Sequence, residues 1–133
     1  RLSMSSCDAE VTQVVSTTLV GRDEIVPARF TFRCDDPYAV SAVFTAGDVQ
    51  VLWTFARDLL RDGLYGPAGS GDVQVAPAGR GRVTLTLCSA SEVAMLACDA
   101  ADLAKFVQRV YAAVPEGEES TGMAIDRFLA DIA

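Results

Sequence analysis

Ala28-Arg29-Phe30-Thr31-Phe32-Arg33-Cys34 is the stretch that decides the fold class. Ala28, Phe30, Phe32 and Cys34 share one parity, and Arg29, Thr31 and Arg33 share the other. Successive side chains of a strand point to opposite faces, so this stretch predicts a β-strand with one dry and one wet face. Working outward, Glu10 to Val20 is rich in Val and Thr and reads as a long strand, with a bulge expected where Val14 and Val15 break parity. Gly21-Arg22-Asp23-Glu24 marks the turn between the two. Asp35-Asp36-Pro37 makes the next turn, because Pro37 fixes its own φ and pushes Asp36 into an extended conformation. Val40, Ala42 and Phe44 line a third strand. After Ala46-Gly47-Asp48, a fourth places Val51, Trp53 and Phe55 on an inward face.

The period then changes. Phe55 to Asp62 carries good helix formers, and Gly63 is a plausible end to a short helix. Phe55 and Leu59 are four apart, as are Leu60 and Leu64, so the helix can lay an apolar face on the sheet. Gly66-Pro67-Ala68-Gly69-Ser70-Gly71 is a connecting loop. Val73 to Val75 forms a short strand that Pro77 is expected to stop, and Ala78-Gly79-Arg80-Gly81 turns the chain. Val83, Leu85 and Leu87 line the next strand, and Glu92 to Ala97 makes another. Asp99 stands as a helix N-cap with Asp102 three residues on. Leu103, Phe106, Val107, Val110, Tyr111 and Val114 follow at helical spacing, the clearest helix in the chain. A last helix is predicted from Ser120 or Thr121, with Ile125, Phe128, Leu129 and Ile132 on one face. The order is ββββα then βββαα, an α+β fold.

Composition bounds the chemistry. The chain has 133 residues, 18 acidic and 11 basic, no histidine and a formal net charge of −7. That length suits one domain, assigned to 1–133 with residues 1–6 set outside its ordered part. Lacking histidine, the chain lacks the commonest general base and the commonest metal ligand. Ser/His/Asp and Cys/His nucleophile systems are therefore out of reach. The longest uncharged stretches, Val11 to Gly21 and Pro37 to Gly47, have 11 residues each, against the roughly 20 a spanning helix needs. No basic stretch followed by an apolar core opens the sequence, so nothing in it reads as a signal peptide.

Cys7, Cys34, Cys88 and Cys98 form no C-x-x-C pair and read as reduced core residues, with disulfide pairing as the alternative. The Gly66 to Gly71 loop lacks the lysine of a phosphate loop and leads into a strand. Asp23-Glu24, Asp35-Asp36 and Glu118-Glu119 sit in predicted turns, where solvated acids are ordinary. No catalytic, cofactor-binding or metal-binding residues are assigned. Arg29, Arg33, Arg80 and Arg82 raise single-stranded nucleic-acid binding as the alternative function. Phe30 and Phe32, however, have the parity opposite to Arg29 and Arg33, so the stacking face is not the charged one. Arg57 has the option of a nearby carboxylate. The net charge is uneven: residues 99–133 hold seven acids and three bases, so most of the excess lies at the helical end.

Asp36-Pro37-Tyr38-Ala39-Val40, Trp53 to Leu60 with Gly63-Leu64, and Pro67 with Gly69-Ser70-Gly71-Asp72-Val73 together resemble the SsgA-like sporulation and cell-division proteins of filamentous actinobacteria, closest to the SsgB branch. Ala113-Val114-Pro115-Glu116-Gly117 and Ile125-Asp126 with Leu129 and Ile132 match the C-terminal pattern. The resemblance spans about Cys7 to Ile132. It implies a Whirly-like protomer with strongly curved antiparallel sheets, helices packed at the C-terminal end, and a homotrimer. It also implies a non-catalytic adaptor, cytoplasmic and at the division septum. Such an adaptor recruits the tubulin-like GTPase FtsZ with the help of an SsgA-like partner protein. Expected partner contacts are Asp36, Tyr38, Arg57 and Leu64, placed where turns and the short helix should reach the surface.

Overall fold

A computed structural model describes residues 10–119. Seven strands and two helices follow one another as β1 (Glu10–Leu19), β2 (Glu24–Arg33), β3 (Ala39–Ala46), β4 (Val49–Ala56), α1 (Arg57–Gly63), β5 (Val73–Gly79), β6 (Arg82–Cys88), β7 (Val93–Asp99) and α2 (Ala100–Ala113). The expected helix beyond Ser120 and the leading residues 1–6 lie outside the described residues. All strands join one antiparallel sheet in the order β4-β3-β2-β1-β7-β6-β5. Each half is thus a meander, and the two meet where Thr18 pairs with Ala97 and Leu19 with Leu96.

The sheet curls. β4 and β7 stand four positions apart, about 19 Å in a flat sheet. Yet Val51 and Trp53 of β4 line the same cavity as Leu96 of β7. Inside the curl, Val15, Ala28, Phe30, Phe32, Val40, Ala42, Val83 and Leu85 are all essentially inaccessible. The parity predicted for Ala28 to Cys34 holds along its length, with Arg29 and Arg33 outward. α2 fills one end with Leu103, Phe106, Val107 and Val110. Each such burial contributes roughly 1.5–3 kcal/mol. Phe106 packs against Phe30 with the rings tilted at 46° and their centroids 5.5 Å apart. Arg109 and Gln13 clip α2 to β1, through the Arg109 Nη1 bond to the Thr12 carbonyl and the Gln13 Nε2 bond to the Asp102 carbonyl.

Several expectations change. β1 and β2 pair without interruption from Glu10↔Arg33 to Leu19↔Glu24, so there is no bulge at Val14 and Val15. Val14 simply faces outward, 64% exposed, and Val15 inward. Pro77 does not stop β5, which runs to Gly79. β5 is the outermost strand, where a missing amide hydrogen is tolerated, and the ladder instead shifts register between Pro77 and Gly79. Phe55 and Ala56 belong to β4, so α1 starts at Arg57. Asp99 takes the N-cap position of α2 but its side chain does not cap. It accepts a 2.8 Å bond from Arg82 instead. Cys88 and Cys98 are free thiols, but Cys34 is disulfide-bonded, correcting the reading of four reduced cysteines.

Candidate functional site

The most elaborate polar structure joins α1 to the chain after α2. Arg57 opens α1 and is only 1% exposed. A guanidinium taken out of water must be paired to be tolerable. Its Nη1 donates to the Val114 carbonyl at 2.6 Å and its Nη2 to Glu119 Oε2 at 2.7 Å. The carbon of the guanidinium lies 4.1 Å from the centroid of the Tyr111 ring and 5.7 Å from that of Phe32. Nε alone is buried with no acceptor among the described residues.

One turn along α1, Arg61 Nη1 donates to Glu116 Oε2 at 2.6 Å. Tyr111 donates its hydroxyl to Asp58 of α1. The two arginines are four apart on one helix, so both face α2 and the segment that follows it. Residues 114–119 are thereby clasped to α1 by two cations, and the last turn of α2 by one phenol.

The electrostatics follow from this geometry. Hydrogen bonding from Arg57 holds the Glu119 carboxyl below its usual range, helped by backbone amides including that of Gly117. Burial pushes the Tyr111 phenol well up, and its bond to Asp58 adds to the shift. Hydrogen bonds to Glu116 and Asp62 raise Arg61 further above its already high value. Each shift keeps its group in the protonation state that the clasp uses. None produces a nucleophile or a general base near neutrality. Among the described residues, no group of three or more Cys, Asp or Glu is placed to hold a metal ion.

The four expected contact residues fall into two sets. Asp36 and Tyr38 lie exposed on the β2–β3 turn, Tyr38 at 52%. That turn is tied to α1, because the Arg57 amide donates to the Tyr38 carbonyl at 2.8 Å. Leu64, just past α1, is half-buried and packs against the core. Arg57 does not reach the surface: its charge is spent inward, on Glu119 and Val114. The option of a carboxylate partner for Arg57 is realised, but by an acid 62 residues away. Sequence reasoning passed over Asp58, Tyr111, Glu116 and Glu119. Their signal was the pair Arg57 and Arg61 at helical spacing, set against an acidic run after α2.

At the end of the curled sheet away from α2, the interior is open. An apolar cavity of about 370 Å³ lies there, floored by Val26, Phe44, Leu87 and Leu96, with Trp53 and Val51 along one wall. A second recess, about 390 Å³, separates the end of β4 from Leu59 and from the Gly69–Val73 segment. No helix among the described residues is long and apolar enough to cross a membrane.

Comparison with known proteins places this architecture. Residues 26–119 match the family model described as Streptomyces sporulation and cell division protein, SsgA. The chain is 45% identical over 110 residues to the sporulation-specific cell division protein SsgB of Kineococcus radiotolerans, covering 79% of this chain and 67% of that one. It is 40% identical over 131 residues to SsgB of Streptomyces coelicolor, covering 96% and 93%. Among solved structures, an SsgA-like sporulation-specific cell division protein from Thermobifida fusca superposes with a TM-score of 0.84 at 35% identity, over 96% of this chain and 98% of that one. The SsgB structure described with mutations that correlate to longitudinal cell division during sporulation of Streptomyces coelicolor gives 0.81 at 40% identity, over 88% and 98%.

Proposed function

The chain belongs to the SsgA family of sporulation and cell division proteins, and from that premise we propose that it is a non-catalytic adaptor that helps place septa by recruiting FtsZ. The observation that carries this reading is full-length similarity to proteins named as sporulation-specific division proteins, 40% identical across 131 residues in one case. Two features of the chain support a docking role over chemistry. The sequence has no histidine, and the charges of the clasp are consumed in holding the protomer together. The partners of this reading are FtsZ and an SsgA-like protein, the working assembly is a homotrimer, and the place is the cytoplasmic side of the septum. Asp36 and Tyr38 offer one exposed contact point, and Leu64 a second at the far end of α1. Arg57 supports both from beneath.

Co-sedimentation tests the reading directly. Purified chain should pellet with FtsZ polymers, more so when an SsgA-like partner is added, and multi-angle light scattering should give the mass of three copies. Persistent failure to pellet with the partner present would sink the adaptor. Single-stranded nucleic-acid binding is disfavoured by the structure's division of faces: Arg29 and Arg33 point outward while Phe30 and Phe32 are completely buried. No aromatic of β2 is left to stack on a base.

A further inference from the structure

The open end of the curled sheet has two properties that belong together. The first is its apolar interior, about 370 Å³, at the small end of the roughly 300–1,000 Å³ typical of ligand pockets. The second is its collar. Leu19 and Val26 of the lining flank the turn after β1, Ala46 and Val49 flank the β3–β4 turn, and Ser89 and Glu92 belong to the turn after β6. Three turns therefore ring one mouth. With Glu24 at the start of β2, they carry Asp23, Asp48 and Glu92, all four exposed, against the single cation Arg22.

None of these four carboxylates enters an ion pair among the described residues, whereas every cation of the clasp does. Four acids unpaired among the described residues, set around an apolar opening, attract positive charge and repel anionic lipid or nucleic acid. The lining is an indole, the Phe44 ring and mostly aliphatic side chains, the composition that receives a single bulky anchor at a protein interface. Val49 and Val51 of the outermost strand β4, both part of the lining, stay 60% and 44% exposed at its rim.

We propose that this mouth is a docking site for a short basic segment of a partner protein, its bulky apolar side chain in the cavity and its flanking lysines or arginines on the acidic collar. The proposal rests on the adaptor reading only in that both concern a protein partner. Its test involves no FtsZ, so it can fail while FtsZ polymers still pellet the chain, and succeed where they do not.

Trp53 lines the cavity and is the only tryptophan of the chain, so its emission reports occupancy. The full chain is titrated with two synthetic hexapeptides of identical centre, phenylalanine followed by leucine, one flanked by lysines and the other by glutamates. The expected result is a saturable blue shift with the lysine peptide, at least about tenfold tighter than with the glutamate peptide at low salt, the gap closing as salt is raised. Asp48→Lys with Glu92→Lys, both on exposed turns, should weaken the lysine peptide by about tenfold with an unchanged circular dichroism spectrum. Equal affinity for the two peptides overturns the proposal, since the cavity would then accept any apolar group. So does the absence of a saturable shift. A blue shift that grows with protein concentration alone, alongside a larger mass by light scattering, also overturns it, because a second copy would then occupy the mouth.

Discussion

Arg57 stacks its guanidinium 4.1 Å from the ring centroid of Tyr111 while donating to the Val114 carbonyl, so the first residue of α1 and the last turn of α2 share one buried cation. Neither helix holds the other by apolar contact alone. The seven residues of α1 are too few to be stable by local propensity. The clasp supplies what the short helix lacks.

Replacing Arg57 should therefore unfold more than a surface contact. Arg57→Leu removes two charge-assisted hydrogen bonds and the stack on Tyr111, and leaves the Val114 carbonyl without its donor. We expect a loss of about 2–4 kcal/mol in urea denaturation. Arg57→Lys should recover less than half of it, because an ammonium cannot serve two acceptors while lying flat on a ring. A loss below about 0.5 kcal/mol for the leucine variant would show that the clasp is decorative.

Tyr111 gives the clasp an alkaline limit. Its folded value is raised above the ordinary 10.0, by burial first and then by the bond it donates to Asp58. A raised folded value means that the fold binds the proton more tightly than the unfolded chain does. The contribution is thus fully present below pH 10.0 and is lost as pH climbs through the folded value. Ultraviolet titration should show a phenol that ionises late, and Tyr111→Phe should remove that step and flatten the alkaline fall in stability. If the late step survives the substitution, it belongs to another residue.

Glu119 sets the acid limit, with the opposite sign. Arg57 lowers its folded value below the ordinary 4.5. The contribution is present above pH 4.5 and fades as pH drops through the lowered value. Melting temperature measured from neutral to acid pH should fall more gently in Glu119→Gln than in the parent. Parallel curves for the two proteins would detach Glu119 from the acid transition.

Gly63 ends α1 because nothing larger fits. A Cβ built there would stand 2.3 Å from Val75 Cγ1, well inside contact distance, where α1 crosses β5. Gly63→Ala should cost about 1–3 kcal/mol through overpacking. Gly66→Ala, three residues on and with open space around its Cβ position, should be close to neutral. The pair of midpoints in denaturant separates crowding from any general effect of removing glycine in this loop; equal shifts would mean that crowding is not the cause.

What was readable in the sequence follows from the range of each interaction. Alternation at Ala28 to Cys34 and the helical spacing from Leu103 to Val114 are local, and both elements form where the spacing puts them. The two-residue turns were also legible: Gly47 takes positive φ at the head of one, and Arg80 and Gly81 take it together in the other, as tight hairpins require. Pro77 misled because its tolerance depends on β5 being an outer strand, and strand order is not local. The same holds for Arg57. Its helix was visible, but burial comes from α2 and from Glu119, 62 positions away. Asp36 and Tyr38, on a turn fixed by Pro37, needed no such information and lie exposed as expected. The acidic mouth was least accessible of all, since it exists only because the sheet curls until three turns distant in sequence face one opening.

The two free thiols among the described residues test how tightly that curl is closed. Cys98 sits inside β7 with no exposed surface, and burial pushes its thiol up to about 11. Cys88, at the end of β6, is half-exposed. The thiolate is the reactive form, so Cys98 is protected both by access and by protonation. A disulfide reagent at neutral pH should modify Cys88 first. Cys98 should follow at least about a hundredfold more slowly, at a rate set by opening of the sheet. Because β7 joins the two meanders through a short ladder, Thr18↔Ala97 and Leu19↔Leu96 with the Val20 amide donating to the Met95 carbonyl beyond them, that opening should begin at this seam. Cys88→Ser, which leaves Cys98 as the sole free thiol among the described residues, isolates the slow phase. Adding low urea should then accelerate it well before the global transition, whereas acceleration only in step with global unfolding would show that the two halves of the sheet never part on their own.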